Sequence, residues 1–287
     1  MKKVHFSRSQ CYEFIQLLEN NNLNECIKYL DTNIKTGLHW IKYCNQFKIL
    51  LKNLINNKYD YIPFTILSRS GNSKLSFLSF SSLPVSTCPG ASECLKYCYS
   101  LKSWRYPSSF FRQCQNTLLM KYNFEIIANE LYKYNKKAKL KNIKRDFRLY
   151  VDGDYKTLND LINWMTLLKQ CKNINSYGYS KSKHLFLELY KQGFKYPKNY
   201  KLNLSNGSKF DFLDNDLLKL YFVRGHFTAY KFDKKIKLDK LTKNNKKEIR
   251  EHFKSKVFIC PGICDTCTNK GHFCGLNNNL RVVIPVH

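Results

Sequence analysis

Phe147-Arg148-Leu149-Tyr150-Val151 runs into Asp152-Gly153-Asp154, and this short run, with the segments on its C-terminal side, decides the fold. Its β-prone residues stop at a Gly-centred turn, and Thr157 to Gln170 then carries apolar residues at helical spacing, through Leu161, Met165 and Leu168. Ile174 to Tyr179 reads as a second strand, Lys183 to Gln192 as a second helix and Tyr200 to Leu204 as a third strand. Strands and helices alternating at this spacing are βαβ units, so the chain is predicted to be α/β, with a parallel sheet or partial βα barrel and helices packed on it. Short strands near Leu220 to Val223, Val257 to Ile259 and Arg281 to Ile284 complete the expected sheet.

Upstream, residues 8 to 20, 24 to 31 and 38 to 56 have helical periodicity, with an Asn-rich break at Asn20 to Asn22. This divides the chain into a helical N-terminal segment, 1–60, and an α/β domain, 61–287, that carries cysteine-rich loops. Phe64 to Phe80 reads as short strands around a turn at Gly71-Asn72-Ser73-Lys74, and a long amphipathic helix is expected between Phe110 and Tyr134.

In parallel architectures ligands sit where the strands' carboxyl ends deliver their loops. Asp152 and Asp154 end the first strand of the alternating region, and Ser180, Lys181 and Ser182 follow the second. Ser205, Asn206 and Ser208 follow the third, Arg224-Gly225-His226 reads as a turn after another, and Val257-Phe258-Ile259 feeds into Cys260. Asp152, Asp154 and Lys181 are therefore the candidate catalytic residues: the carboxylates as acid, base or hard-cation ligands, the lysine as a phosphate or carboxylate contact. Against this stand a helix-capping role for Asp154, aided by Thr157, a solvated Lys181 and a structural His226.

Seven of the 12 cysteines fall in two clusters, each opened by Cys-Pro-Gly. Cys88, Cys94 and Cys98 form the first; Cys260, Cys264, Cys267 and Cys274 form the second, with His272 in reserve. Thiols this close in sequence converge on one metal without distant contacts, and these seven are the candidate ligands of zinc or an iron-sulfur cluster, in one shared centre or two. Cys11, Cys26, Cys44, Cys114 and Cys171 lie on or beside apolar stripes and are read as core residues. Twelve cysteines without a signal peptide suit an intracellular, reducing compartment better than an oxidised scaffold. No stretch has the roughly 18 to 20 apolar residues of a membrane span, so no membrane partner is expected.

The net charge of +28 makes nucleic acid the default partner, set against AT-rich compositional drift that spreads lysine along the whole chain. Tyr97, Tyr99, Lys102, Trp104, Arg105 and Tyr106 interleave aromatics and cations as a single-strand stacking platform would. Walker, dinucleotide, HExxH and rolling-circle nickase signatures are absent from the sequence.

Several words in order, Gly71-Asn72-Ser73-Lys74-Leu75, Leu83-Pro84 before Cys88-Pro89-Gly90, Cys98-Tyr99-Ser100, Phe111 to Thr117, Val151 to Tyr155, Tyr179 to Ser182 and the late cysteine knot, resemble the phage gene product 88 family. The likeness runs from about Gly71 to Gly275, leaves the first 60 or so residues outside, and carries Ser100 where the family's cysteine turn has Ala. It implies a protein of a phage, plasmid or other mobile element and no defined biochemistry. Cys260-x3-Cys264-x2-Cys267 also resembles the spacing of radical SAM enzymes, whose three thiolates hold a [4Fe-4S] cluster with one iron open to S-adenosylmethionine. Here the motif is late rather than after the first barrel strand, Thr266 replaces the usual aromatic, and Cys274 would fill the open iron. That likeness implies an iron-sulfur redox or radical enzyme with a small-molecule substrate, alongside a metal-cluster protein that binds or acts on nucleic acid.

Overall fold

The alternation around Phe147 folds into one seven-stranded sheet in which every pairing is parallel. The structure is a computed structural model. It describes all residues except 1–5, 36, 70–74, 234–235, 237–239, 265–266, 269–271, 277–278 and 287, and excludes the side chain of Tyr97. The strands are β1 (Leu78–Ser79), β2 (Arg145–Leu149), β3 (Ile174–Ser180), β4 (Tyr200–Ser205), β5 (Val223–Tyr230), β6 (Val257–Ile259) and β7 (Arg281–Pro285). Their order is β1-β2-β3-β4-β5-β7-β6, so the chain adds strands outward until the last two exchange places.

The crossovers supply the helices. α4 (Pro107–Tyr122) and α5 (Phe124–Leu140) join β1 to β2, α6 (Leu158–Gln170) joins β2 to β3, and α7 (Lys183–Lys191) joins β3 to β4. The short α8 (Asp214–Leu217) and then α9 (Lys243–Phe253) follow β4 and β5. Side chains alternate across a strand. Phe147 and Leu149 of β2 and Leu202 and Leu204 of β4 therefore share one core with Leu161, Trp164 and Leu168 of α6 and Phe186 of α7. Each such fully buried side chain contributes roughly 1.5–3 kcal/mol. The opposite face carries Tyr177 and Val282, and the cysteine loop between β6 and β7 covers it, with Cys274 and Phe273 in the cluster.

α1 (Arg8–Glu19), α2 (Leu23–Asn33) and α3 (Leu38–Ile55) precede the sheet. Ser7 and Gln10 form a reciprocal capping box at the start of α1. Phe14, Trp40 and Phe47 from these helices share a second core with Phe110, Phe111 and Cys114 of α4. Cys11, Cys26, Cys44, Cys114 and Cys171 are all buried in the two cores.

Two readings change. The single helix expected from Phe110 to Tyr134 is α4 and α5, broken at Asn123, whose φ of −158° is extended. The break lets α4 turn Phe110 and Phe111 toward the N-terminal helices while Phe124, Ile127 and Leu131 face the sheet core. Arg224-Gly225-His226 is no turn but part of β5, where the register with β4 slips by one residue between Leu202 and Asn203. The turn expected at Gly71 to Lys74 lies outside the described residues. Among the described residues, no helix is long and apolar enough to cross a membrane.

Candidate metal centre

After β1 the chain climbs to the carboxyl ends of the strands and lies across them. Tyr150 leaves β2 with φ 57°, and Val151 N–H then donates to Phe80 O at 2.8 Å while Ser82 N–H donates to Asp152 O at 3.0 Å. These bonds tie the loops after β1 and β2 together. Val85 has φ 70°, a strained left-handed conformation for a β-branched residue, three positions before Cys88. Gly90 then packs backbone against backbone on the turn after β3: a Cβ there would stand 1.8 Å from Lys181 O. Lys209 N–H donates to Gly90 O at 2.9 Å and Ser92 N–H to Gly207 O at 3.3 Å, which pins the same loop to the turn after β4.

This placement sets Cys88, Cys94 and Cys98 on the rim within electrostatic range of one another. Burial pushes the Cys88 thiol well up, Asp154 adds to it, and the neighbouring Cys98 and Cys94 add further. Burial also raises Cys94, partly offset by the Lys181 ammonium beside it, with Cys98 and Asp154 opposing its ionisation. Buried thiols such as Cys88 and Cys94, which resist ionisation chiefly because they are cut off from water, are ones a bound cation would help to ionise. Among the described residues, no three or more His, Cys, Asp and Glu side chains close into a shell able to hold a metal.

Asp154 is the bracket of the rim. It is 4 % exposed, and its Oδ1 accepts from Ser180 Oγ at 2.7 Å and Tyr155 N–H at 2.8 Å, its Oδ2 from Lys181 N–H at 2.8 Å and Ser182 N–H at 3.1 Å. Burial raises its carboxyl despite these donors. It does not cap α6. That task falls to Thr157, whose hydroxyl accepts from Asp160 N–H while Asp160 returns the bond. Gly153 makes the approach feasible, since with φ +80° any Cβ would collide with Ser82 Oγ at 2.1 Å.

Asp152 points elsewhere, accepting from Gln113 Nε2 at 3.0 Å. Burial raises its carboxyl while Ser100, Arg148, Arg112 and Ser81 pull it down. Lys181 is half-buried, and its Nζ donates to Ser205 Oγ at 2.5 Å, so the lysine is held rather than freely solvated. Neither Arg224 nor His226 stands on a rim turn. The Arg224 guanidinium bonds Asn203 Oδ1, Leu280 O and His226 O, and His226 Nδ1 lies 3.3 Å from Asp214 Oδ2.

The second cysteine loop lies on the sheet's other face. His272 Nε2 meets Asp146 Oδ1 at 3.1 Å, and its ring stacks on Tyr177 at 4.4 Å. Asn203 Nδ2 donates to Cys274 O at 3.0 Å, and Phe273 stacks on Phe258 at 3.9 Å. Burial pushes the Cys274 thiol up to about 12, against the pull of Tyr179 and Arg224, with Cys260 and Cys264 near enough to add to the rise. Phe273 N–H points at Cys267 Sγ at 3.1 Å and Gly262 N–H at Cys260 Sγ at 3.4 Å, the kind of donor that stabilises thiolate charge.

Sequence periodicity could not single out Arg148, Tyr177 and Tyr179, which meet cysteines of the second loop, or Gln113, which holds Asp152. Arg148 stands among Tyr179, Tyr99, Tyr177 and Cys264, so it faces Tyr99, next to Cys98, as well as the second loop. The aromatic run after Cys98 divides: Trp104 is 2 % exposed and bonded to Gln113, so it is a core residue and no stacking platform. Tyr99 and Tyr106 are exposed.

The fold and site together define an all-parallel α/β protein whose carboxyl rim is built from thiols, a buried aspartate and a lysine. The profile of the gene product 88 family matches residues 52–275, and the chain belongs to that family. No curated protein and no solved structure matches the chain with significant similarity.

Proposed function

We propose that this protein holds a metal centre on Cys88, Cys94 and Cys98 at the carboxyl rim, beside Asp152, Asp154 and Lys181. The observation that carries the reading is the backbone wedge of Gly90 against Lys181 O, which fixes a three-thiol loop over the ends of β2, β3 and β4. Three thiolates leave an open position, as in a catalytic zinc site or an iron-sulfur cluster with one accessible iron. Cys260, Cys264, Cys267 and Cys274 supply the four ligands of a closed site, so two centres are the simpler division. The neighbours that raise each thiol support it: Cys88 and Cys94 respond to the first set, Cys274 to Cys260 and Cys264. Anaerobic purification with iron, sulfide and zinc analysis tests this. Metal at one or more equivalents supports it, and a metal-free chain with unchanged stability overturns it.

Nucleic acid is the partner the charge supports. A cleft of about 460 Å³ between α1 and the turn after Cys98 is lined by Arg8, Lys102 and Arg105, none of them in an ion pair among the described residues. A second reading, an iron-sulfur enzyme with an iron open to S-adenosylmethionine, is favoured by one observation: the three-thiol loop comes directly after β1, the first strand of the sheet. Stoichiometric zinc without iron would exclude it.

A further inference from the structure

Arg148 lies near the carboxyl end of β2 on the loop-covered face, between the two cysteine loops. Its guanidinium sits 4.8 Å over the Tyr179 ring, which fixes the plane of the fork. Burial works against its charge while Tyr179, Tyr99, Tyr177 and Cys264 shift it the other way, above the ordinary arginine range, and a guanidinium is charged at any working pH. Yet its Nε is buried without a hydrogen-bond partner, and no carboxylate pairs with it among the described residues. Asp152 is within electrostatic range but is engaged by Gln113.

Tyr177 has the same deficit. It is 0 % exposed and stacks on His272, and its hydroxyl faces only the Cys264 thiol, a weak acceptor that leaves this donor without a hydrogen bond of normal geometry. Buried polar groups are almost always paired, and an unpaired one costs about 1–3 kcal/mol, more when charged. Two unpaired donors that feel one another, one of them a guanidinium, mark a place where an acceptor with negative charge is missing.

We propose that Arg148 and the Tyr177 hydroxyl bind the oxyanion of a small ligand, a carboxylate or a phosphate, where Tyr99 of the first cysteine segment and Cys264 of the second flank the guanidinium. The guanidinium fork matches either group through parallel N–H donors, and the phenol adds a third donor that fixes its rotation. Such a site holds its anion with or without metal in the thiol sets, so failure of the metal reading would leave it intact. Its position beside the rim makes the anion the handle by which a substrate is held near Cys88, Cys94 and Cys98.

The test is calorimetric titration of the full chain with inorganic phosphate and, separately, with acetate, at ionic strength matched with chloride. Wild type should bind one of the two, and which one identifies the ligand's charged group. Arg148→Gln should weaken that binding about tenfold or more, the worth of a charge-assisted hydrogen bond, and Tyr177→Phe about fivefold. The Tyr177→Phe change removes one oxygen and keeps the ring stack, so it reports even if Arg148→Gln fails to fold. No binding of either anion by wild type up to roughly ten millimolar, or unchanged affinity in Tyr177→Phe, would overturn the proposal. So would loss in Arg148→Gln of affinity for a single-stranded oligonucleotide with phosphate and acetate binding intact.

Discussion

Replacing Gly90 with Ala should dislodge the first thiol loop. The added Cβ would lie 1.8 Å from Lys181 O, 2.4 Å from Lys181 C and 2.9 Å from Ser182 N, so every obstacle is backbone and none can rotate aside. Restoring a contact of 3.4 Å needs a retreat of 1.6 Å, the difference from 1.8 Å, by either the Cys88 loop or the turn after β3. That turn is fixed to Asp154 by Lys181 and Ser182 N–H, so the cysteine loop is the part expected to yield. Overpacking of this kind costs about 1–3 kcal/mol, and here the upper end is expected. Urea unfolding reads that cost, and reaction with a thiol reagent reads the displacement of Cys88 and Cys94. Gly193→Ala is the control, with φ +83° and no atom within 4 Å, so it should cost the left-handed penalty of about 1–2 kcal/mol without changing thiol reactivity. A Gly90→Ala protein with wild-type stability and wild-type thiol reactivity would refute the wedge.

Lys183→Met should destabilise the chain by roughly 3–5 kcal/mol in urea, because it strands Asp214 beside a site where a fully buried ammonium now meets Asp211 and Asp214 at 2.5 Å. Burial alone would raise Asp214, but His226 and Lys183 outweigh it and hold its carboxyl below the usual range. A depressed carboxyl contributes stability above its unfolded value of 3.8 and loses it as pH falls through the folded value, so Asp214→Asn should flatten the acid loss of stability below about pH 4. Replacing Arg8, Lys102 and Arg105 together with Gln should make the salt slope of single-stranded DNA binding shallower by about 2, at roughly 0.7 per phosphate lost; an unchanged slope would remove that cleft from the interface.

The strand-helix alternation from Phe147 to Leu204 was legible because buried parallel strands and amphipathic crossovers leave strong local patterns. The exchange of β6 and β7 was not, since no local pattern states which neighbour a strand takes. Cys88, Cys94 and Cys98 stood out by spacing, and Asp154 by its place after a strand. Its role as a bracket depended on donors from Ser180 to Ser182, about 26 residues away, which no window of sequence contains. Arg224 and His226 were misplaced because glycine between them signals a turn, whereas the chain absorbs Gly225 into a slipped strand register. Arg148 looked like one cation among 49 and became distinctive only once its neighbours proved to be rings and thiols.

The most direct test of the metal reading is the metal and sulfide content of anaerobically purified chains with Cys88, Cys94 and Cys98 changed to Ser, compared with wild type and with the Cys260, Cys264, Cys267 and Cys274 set changed likewise. Two separate centres predict that each variant loses its own metal and keeps the other's. Wild-type content in the first variant would contradict a centre on the rim.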